Sequence, residues 1–362
     1  WLVAAGCTHV AMESTGVYWK PVFNILEGSF AQVLVVNARD VKALPGRKTD
    51  MLDAEWIAQL LQHGLLRGSF IPPAPIRELR EATRYRKQLI RTRADEANRI
   101  QKILEAANLK LGSVATDILG VSGRAMLAAL VKGETDASAL AGLAKGRLRQ
   151  KRDRLVAALT GQITPVQRAL LGQQLAHVEY LDRAIAELDS LIGTLMAPYQ
   201  AEADRLRTTT GIEQRTAEAL IAELGVDMGV FPSDRHCASW AGMCPGNNES
   251  AGKRKSGKTR KGSKWLRAAL VEAAWATSRT QTYLGAQYHR IARRRGKKKA
   301  IVAVAHSILV IAYHLLKEGT TYRDLGHDYF DKRETARLQQ RLIARLESLG
   351  LRVTVEPLPQ AA

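Results

Sequence analysis

The chain opens with short apolar runs separated by turn residues. His9-Val10-Ala11-Met12 precedes a Ser14-Thr15-Gly16 turn, a helical segment from Val17 to Glu27 and a second apolar run from Ala31 to Asn37. Two strand-like runs around a helix predict a β-α-β unit, hence an α/β domain with a mixed sheet. From Thr49 the period changes, and Leu52, Trp56, Ile57, Leu60 and Leu61 recur at helical spacing. Gly64, Gly68 and Pro72-Pro73 end this unit.

Between Ile76 and Leu111 the apolar positions thin to a seam of Leu79, Leu89, Ile90, Ile100, Ile103 and Leu104 on a helix dense in arginine. A second helical stretch, Arg152 to Leu195, carries Leu155, Leu159, Leu171, Leu175, Val178, Leu181, Ile185 and Leu188. Two such seams predict a coiled-coil arm or helical hairpin. The same pattern also describes the solvated face of an ordinary bundle. After Tyr199 the pattern resets. Leu206 to Gly225, turning at Gly211-Ile212, resembles a helix-hairpin-helix, whose glycine turn offers backbone N–H groups to a duplex phosphate without reading sequence. A loop from Phe231 to Lys264, a helix from Trp265 to Thr277 and a last apolar helix after Lys299 follow. The run Ala300 to Leu316 is short for a bilayer span and includes His306, Ser307 and His314, so it predicts a buried helix and no membrane segment. The resulting division is all-α after an α/β start, with segments 1–75, 76–200, 201–285 and a basic 286–362.

Composition adds a partner. The 362 residues include 54 Lys+Arg against 35 Asp+Glu, a net charge of +19, on a chain with 46% hydrophobic residues. A folded chain this basic predicts a polyanionic partner, nucleic acid first. Cys7, Cys237 and Cys244 are odd in number and scattered, which excludes a disulfide framework and fits a reducing cytoplasm. His236, Cys237 and Cys244 fall short of the four ligands of a structural zinc site. The sequence begins at Trp1 within a pattern already under way, so the native N-terminus is expected further upstream, and a missing signal peptide says little.

Three groups of residues carry candidate chemistry. Glu13 closes the first strand, and Asp50 and Asp53 lie on one face at a helix start. Carboxylates so placed bind hard cations such as Mg²⁺ or Mn²⁺, although the aspartate pair also suits helix capping. The second group is the loop from Trp240 to Gly252 with the run Lys253, Arg254, Lys255, Lys258, Arg260, Lys261 and Lys264, where seven of twelve residues are basic and none acidic. Such a segment suits a phosphate backbone, and it equally describes a mobile basic loop. Ser250 precedes the run; a serine attacks phosphorus only when activated, and alone it is usually a turn residue. The third group, Arg290, Arg293, Arg294, Arg295, Lys297, Lys298 and Lys299, is either a phosphate-binding stripe or a solvated linker.

These words together resemble the IS110 family of transposases, the DEDD-type insertion-sequence recombinases related to the Piv DNA invertase. The likeness rests on Met12-Glu13-Ser14-Thr15-Gly16-Val17-Tyr18-Trp19, Asn37-Ala38-Arg39, Lys48-Thr49-Asp50-Met51-Leu52-Asp53-Ala54, Ala238-Ser239-Trp240-Ala241-Gly242-Met243-Cys244-Pro245, Glu249-Ser250-Ala251-Gly252-Lys253 and Lys261-Gly262-Ser263-Lys264-Trp265-Leu266-Arg267. The resemblance implies a RuvC-like (RNase H-like) domain holding a metal on Glu13, Asp50 and Asp53, a coiled-coil linker, and a transposase domain whose catalytic serine falls on Ser250. In this sequence Ala251 intervenes before Gly252, and Ser239 and Ser256 are weaker candidates. The family's first aspartate has no counterpart after Trp1. By the same resemblance the chemistry is DNA strand exchange through a phosphoserine link, guided by a bridge RNA that pairs with donor and target DNA, in a dimer or tetramer in the bacterial cytoplasm, associated with the nucleoid. Two rival readings are a metal-dependent nuclease in which Ser250 only binds phosphate, and a non-catalytic nucleic-acid scaffold.

Overall fold

Strands β1 (His9–Glu13) and β2 (Gln32–Val36) pair in parallel, His9 opposite Gln32 and Glu13 opposite Val36, with helix α1 (Trp19–Leu26) between them in sequence. Parallel pairing requires such a crossover. In this computed structural model the described residues are 1–37, 50–246, 248–333 and 335–354. They form two compact units, Trp1–Pro73 and Ala74–Ala362. In the first unit α1 buries Phe23, with Trp19 edge-on against it at 5.8 Å. Helix α2 (Asp50–Gln62) packs on β1 and sets Leu60 against Val36, with Trp56, Ile57, Leu34 and Leu66 around them. An antiparallel bridge from Val36 to Gly68 extends the β2 edge. Ala38, Arg39, Lys48 and Thr49, together with the side chains of residues 50–52, lie outside what is described.

The second unit is built on two long helices, α3 (Ala74–Ala106) and α8 (Pro165–Met196). Their ion pairs run in opposite senses along the two helices, Arg86 with Asp189, Arg93 with Asp182 and His177 with Glu96, so the helices are antiparallel. Leu79, Ile100 and Leu104 meet the same kind of stripe on α8, where Leu171, Val178 and Leu181 are buried. A single helix from Arg152 to Leu195 is not what forms. Helix α7 (Arg152–Ala158) stops, the chain turns through Gly161, where a Cβ would lie 2.5 Å from the Ala107 carbonyl, and α8 starts afresh. Thr164 and Gln167 make a reciprocal capping box with Pro165 at the first helical position, a strong start signal. Helices α4 (Leu111–Val114), α5 (Val121–Lys132) and α6 (Ala137–Gly142) fold between the long helices in sequence. Met126, Leu127, Leu130, Leu140 and Leu155 give this end of the hairpin a core of its own. The narrow seam does not predict that bundle. Asp182 joins it to the hairpin by accepting from both Arg93 and Arg124. Burial pushes its carboxyl up, yet the two guanidinium bonds prevail and hold it below the ordinary aspartate range.

Helices α9 (Gln200–Arg207), α10 (Gln214–Leu224) and α11 (Asp234–Trp240) lead to a hairpin of β3 (Asn248–Ser250) and β4 (Lys253–Ser256). The expected continuous loop from Phe231 to Lys264 therefore contains a helix and two strands. Helix α12 (Lys264–Thr277), α13 (Tyr283–Arg295), α14 (Lys297–Glu318), α15 (Tyr329–Arg333) and α16 (Thr335–Glu347) complete the unit. Helix α14 is apolar and long enough to cross a membrane, but it is a core element here. Its Ile301, Val304, Ile308, Leu309 and Ala312 are buried, with α12 and α13 packed against it, and Tyr313 donates to the Phe231 carbonyl at 3.2 Å.

Candidate active site and nucleic-acid interface

In the first unit the end of β1 and the start of α2 come from elements that touch. Glu13 is partly exposed, and its Oε1 accepts from the Thr15 hydroxyl at 2.8 Å, while the Asp53 side chain is exposed. Both are hard oxygen donors on adjoining elements, the chemistry a divalent cation requires. Among the described residues no three His, Cys, Asp or Glu side chains gather as a ready-made metal site. The Asp50 side chain lies outside the described set.

In the second unit the stretch around Ser250 is a tight hairpin. Ser250 pairs with Lys253 and Glu249 with Arg254 in Cα register, and Ala251 and Gly252 occupy the turn with φ of +50° and +73°. Two successive left-handed residues are the signature of a type I′ turn, whose twist matches the strands it joins. Glycine adopts that conformation freely, whereas for alanine it costs about 1–2 kcal/mol. Ala251→Gly is therefore expected to slow hydrogen exchange of the hairpin amides by roughly fivefold, corresponding to about 1 kcal/mol of local stability. Unchanged exchange would show that the turn carries no such strain.

The hairpin's base is fixed by close backbone contact. A Cβ on Gly262 would lie 2.3 Å from the Ala241 carbonyl, and one on Gly242, at φ +67°, would lie 2.7 Å from the Gly262 nitrogen. Only glycines let the two segments meet. Ser263 follows directly and caps α12, its Oγ accepting from the Leu266 N–H at 3.2 Å and donating to Glu223 Oε2 at 2.8 Å. Glu223, 2% exposed, also takes a two-pronged bond from Arg84 on α3 at 2.7 and 2.8 Å. One turn earlier on α3, Arg80 donates to the last carbonyls of α10, those of Ala222 and Glu223, at 2.8 and 2.7 Å. Burial pulls the Arg80 guanidinium down to about 10, with Glu223 opposing and Arg84 assisting. Arg267 donates to Thr259 at 2.8 Å and ties α12 back to the basic segment. Sequence reasoning missed this Arg84–Glu223–Ser263 relay.

Lys253, Lys258, Arg260, Lys261 and Lys264 are exposed, and the side chains of Arg254, Lys255 and Ser250 lie outside the described set. Ser239 is exposed on α11, and Ser256 Oγ accepts from the Lys258 N–H at 3.1 Å. Gly211 has a packing reason: at φ +88°, its Cβ position would lie 2.6 Å from the Ala273 carbonyl of α12. Close packing accounts for the glycine there, and Glu213 occupies the N-cap of α10, a poor neighbour for phosphate. Burial, with Asp234 beside it, pushes the Cys237 thiol up to about 12.

A second cationic surface lies where α13 meets α14 at Gly296. Arg293, Arg294, Arg295, Lys297 and Lys298 are exposed, none with an acidic partner among the described residues. The arginines sit favourably at a helix C-terminus, but the lysines crowd the positive end of α14, where an anion would relieve them. Replacing Arg293, Arg294 and Arg295 together by glutamine is expected to lower the slope of log affinity against log salt for duplex DNA by about 2–3, roughly 0.9 for each phosphate no longer neutralised. An unaltered slope would remove this corner from the interface.

Comparison with known sequences adds a family to these features. A profile of DEDD-type IS110 transposases matches residues 1–109, and one described as the transposase IS116/IS110/IS902 family matches residues 203–290. The protein y4pF/y4sB of Sinorhizobium fredii, provisionally described as a transposase, is 30% identical over 154 residues. That alignment covers 40% of this chain and 39% of the relative, so the chain spans about two fifths of the curated relative it matches.

Proposed function

The chain belongs to the IS110 family of transposases, and from that premise we propose that it exchanges DNA strands with Ser250 as nucleophile. The serine Oγ forms a bond to a backbone phosphorus as the bond to a deoxyribose oxygen breaks. That oxygen leaves as a hydroxyl with the proton the serine gave up. A hydroxyl on a second DNA end then attacks the phosphoserine, restoring a phosphodiester and freeing Ser250. One phosphodiester bond is exchanged for another, so no external energy source is needed.

The observation that carries the reading is the hairpin: Ser250 stands at the shoulder of a constrained turn, paired with Lys253 in Cα register, with Lys258, Arg260, Lys261 and Lys264 exposed on the segment that follows. Cations there neutralise a phosphate and favour the charge that develops as the serine attacks. Glu13, Asp50 and Asp53 would hold Mg²⁺ or Mn²⁺, which when bound supplies further charge neutralisation at the phosphoryl oxygens. In this reading the basic surfaces hold DNA and a guide RNA by backbone, base pairing supplies the choice of sequence, and a homo-oligomer in the bacterial cytoplasm supplies more than one such centre.

Strand joining between labelled donor and target DNA, with Mg²⁺ and the guide RNA, tests the proposal. Joined product is expected from the unaltered protein and lost in both Ser250→Ala and Asp53→Ala. Joining that survives Ser250→Ala would overturn the assignment of the nucleophile.

A further inference from the structure

Helices α3, α10 and α12 enclose a cavity of about 210 Å³ that the proposed chemistry does not use. It exists because the facing stripes carry small residues: Thr83, Thr216, Ala219 and Ala269 leave a gap that larger side chains would close. One end is walled by the Trp265 indole, with Arg84 at 5.9 Å and Lys264 at 5.1 Å from the ring centre. The rim is charged, with Lys87 paired to Glu272 and Arg215 to Asp189. Each rim cation commits only part of its donor capacity to these pairs. Lys87 has three N–H groups and Arg215 five.

We infer that this cavity receives a single unpaired nucleotide, its base against Trp265 and its phosphate on Lys87 and Arg215. The inference rests on the nucleic-acid reading above and names what one part of that interface holds. A free phosphate would have no use for an indole wall and an alanine floor. An apolar ligand would have no use for the N–H donors that Lys87 and Arg215 keep beyond their pairs with Glu272 and Asp189. A planar heterocycle joined to a phosphate uses both, by stacking and by charge. The position agrees: Lys264 ends the basic segment that starts at Lys253 and itself lies over Trp265, so a strand following that segment reaches the cavity mouth.

The test uses a DNA duplex bearing one extrahelical pyrrolocytosine, its fully paired counterpart, and RNA duplexes of the same two designs. The unaltered protein should quench the extrahelical base and bind that duplex about tenfold tighter than the paired one, the scale of one base–aromatic stack. The DNA and RNA arms show which nucleic acid supplies the nucleotide. Ala219→Leu, which fills the cavity, should abolish quenching and preference while leaving affinity for paired duplex unchanged. Should that variant fold poorly, Trp265→Tyr should retain quenching and Trp265→Leu lose it. Quenching and preference that persist in Ala219→Leu, or that never occur although paired duplex binds in a salt-dependent way, would leave only a packing gap and overturn the inference alone. Absence of binding to every duplex at low salt would overturn the nucleic-acid reading along with it.

Discussion

Glu223→Ala is expected to destabilise the Ala74–Ala362 unit by about 2–3 kcal/mol, below the roughly 3–5 kcal/mol of a fully buried ion pair broken from one side, because the Arg84 side chain is 36% exposed and water screens the charge left behind. Both carboxylate oxygens are engaged, Oε1 by Arg84 and Oε2 by Arg84 and Ser263, in a setting only 2% exposed. Removing the carboxylate leaves the Arg84 guanidinium without its counter-charge, deprives the half-buried Arg80 of the charge that favours its protonated form, and strips Ser263 of its acceptor. Denaturant titration followed by circular dichroism measures the loss. Glu223→Gln retains acceptor and shape while giving up the charge, so it should fall between the two. A cost below about 1 kcal/mol for the alanine variant would mean that the relay contributes no more than a surface ion pair.

The same relay shows where the sequence stops being legible. Glu223 lies 139 residues from Arg84 and 40 from Ser263, and no local period or motif links such positions. The β-α-β start, the helical period around Trp56 and Leu60, and the apolar α14 are legible because burial repeats at short spacing. The break between α7 and α8 is hidden because Leu155 and Leu159 continue the apolar pattern toward Leu171. Its signal is present in Thr164-Pro165-Val166-Gln167, a capping box with proline at the first helical position. The hairpin is masked by its own cations: Lys253, Arg254 and Lys255 have weak strand propensity, and Ala251-Gly252 is a fainter turn signal than Asn-Gly. Gly211 reads locally as a phosphate contact, yet its requirement turns on a carbonyl of α12 that only the tertiary fold brings near.

Ser250→Ala is expected to reduce strand transfer by about a thousandfold or more, as removal of a covalent nucleophile does. The substitution deletes one oxygen at the shoulder of an exposed turn and should leave the thermal transition unmoved. Ser263→Ala provides the contrast. It removes a helix cap and a partner of Glu223, costs about 1 kcal/mol of stability, and acts on rate only through the placement of the hairpin. A serine that attacks phosphorus and a serine that holds the scaffold are thus separable by whether rate or stability falls.

The most direct measurement incubates the protein with Mg²⁺, guide RNA and labelled donor and target DNA, then resolves the products on a denaturing gel beside Ser250→Ala and Asp53→Ala. A protein–DNA adduct that survives the denaturant and is absent from Ser250→Ala is the expected result. Free cleaved DNA that persists in Ser250→Ala and vanishes in Asp53→Ala would contradict it, and would make this protein a metal-dependent nuclease whose serine only holds phosphate.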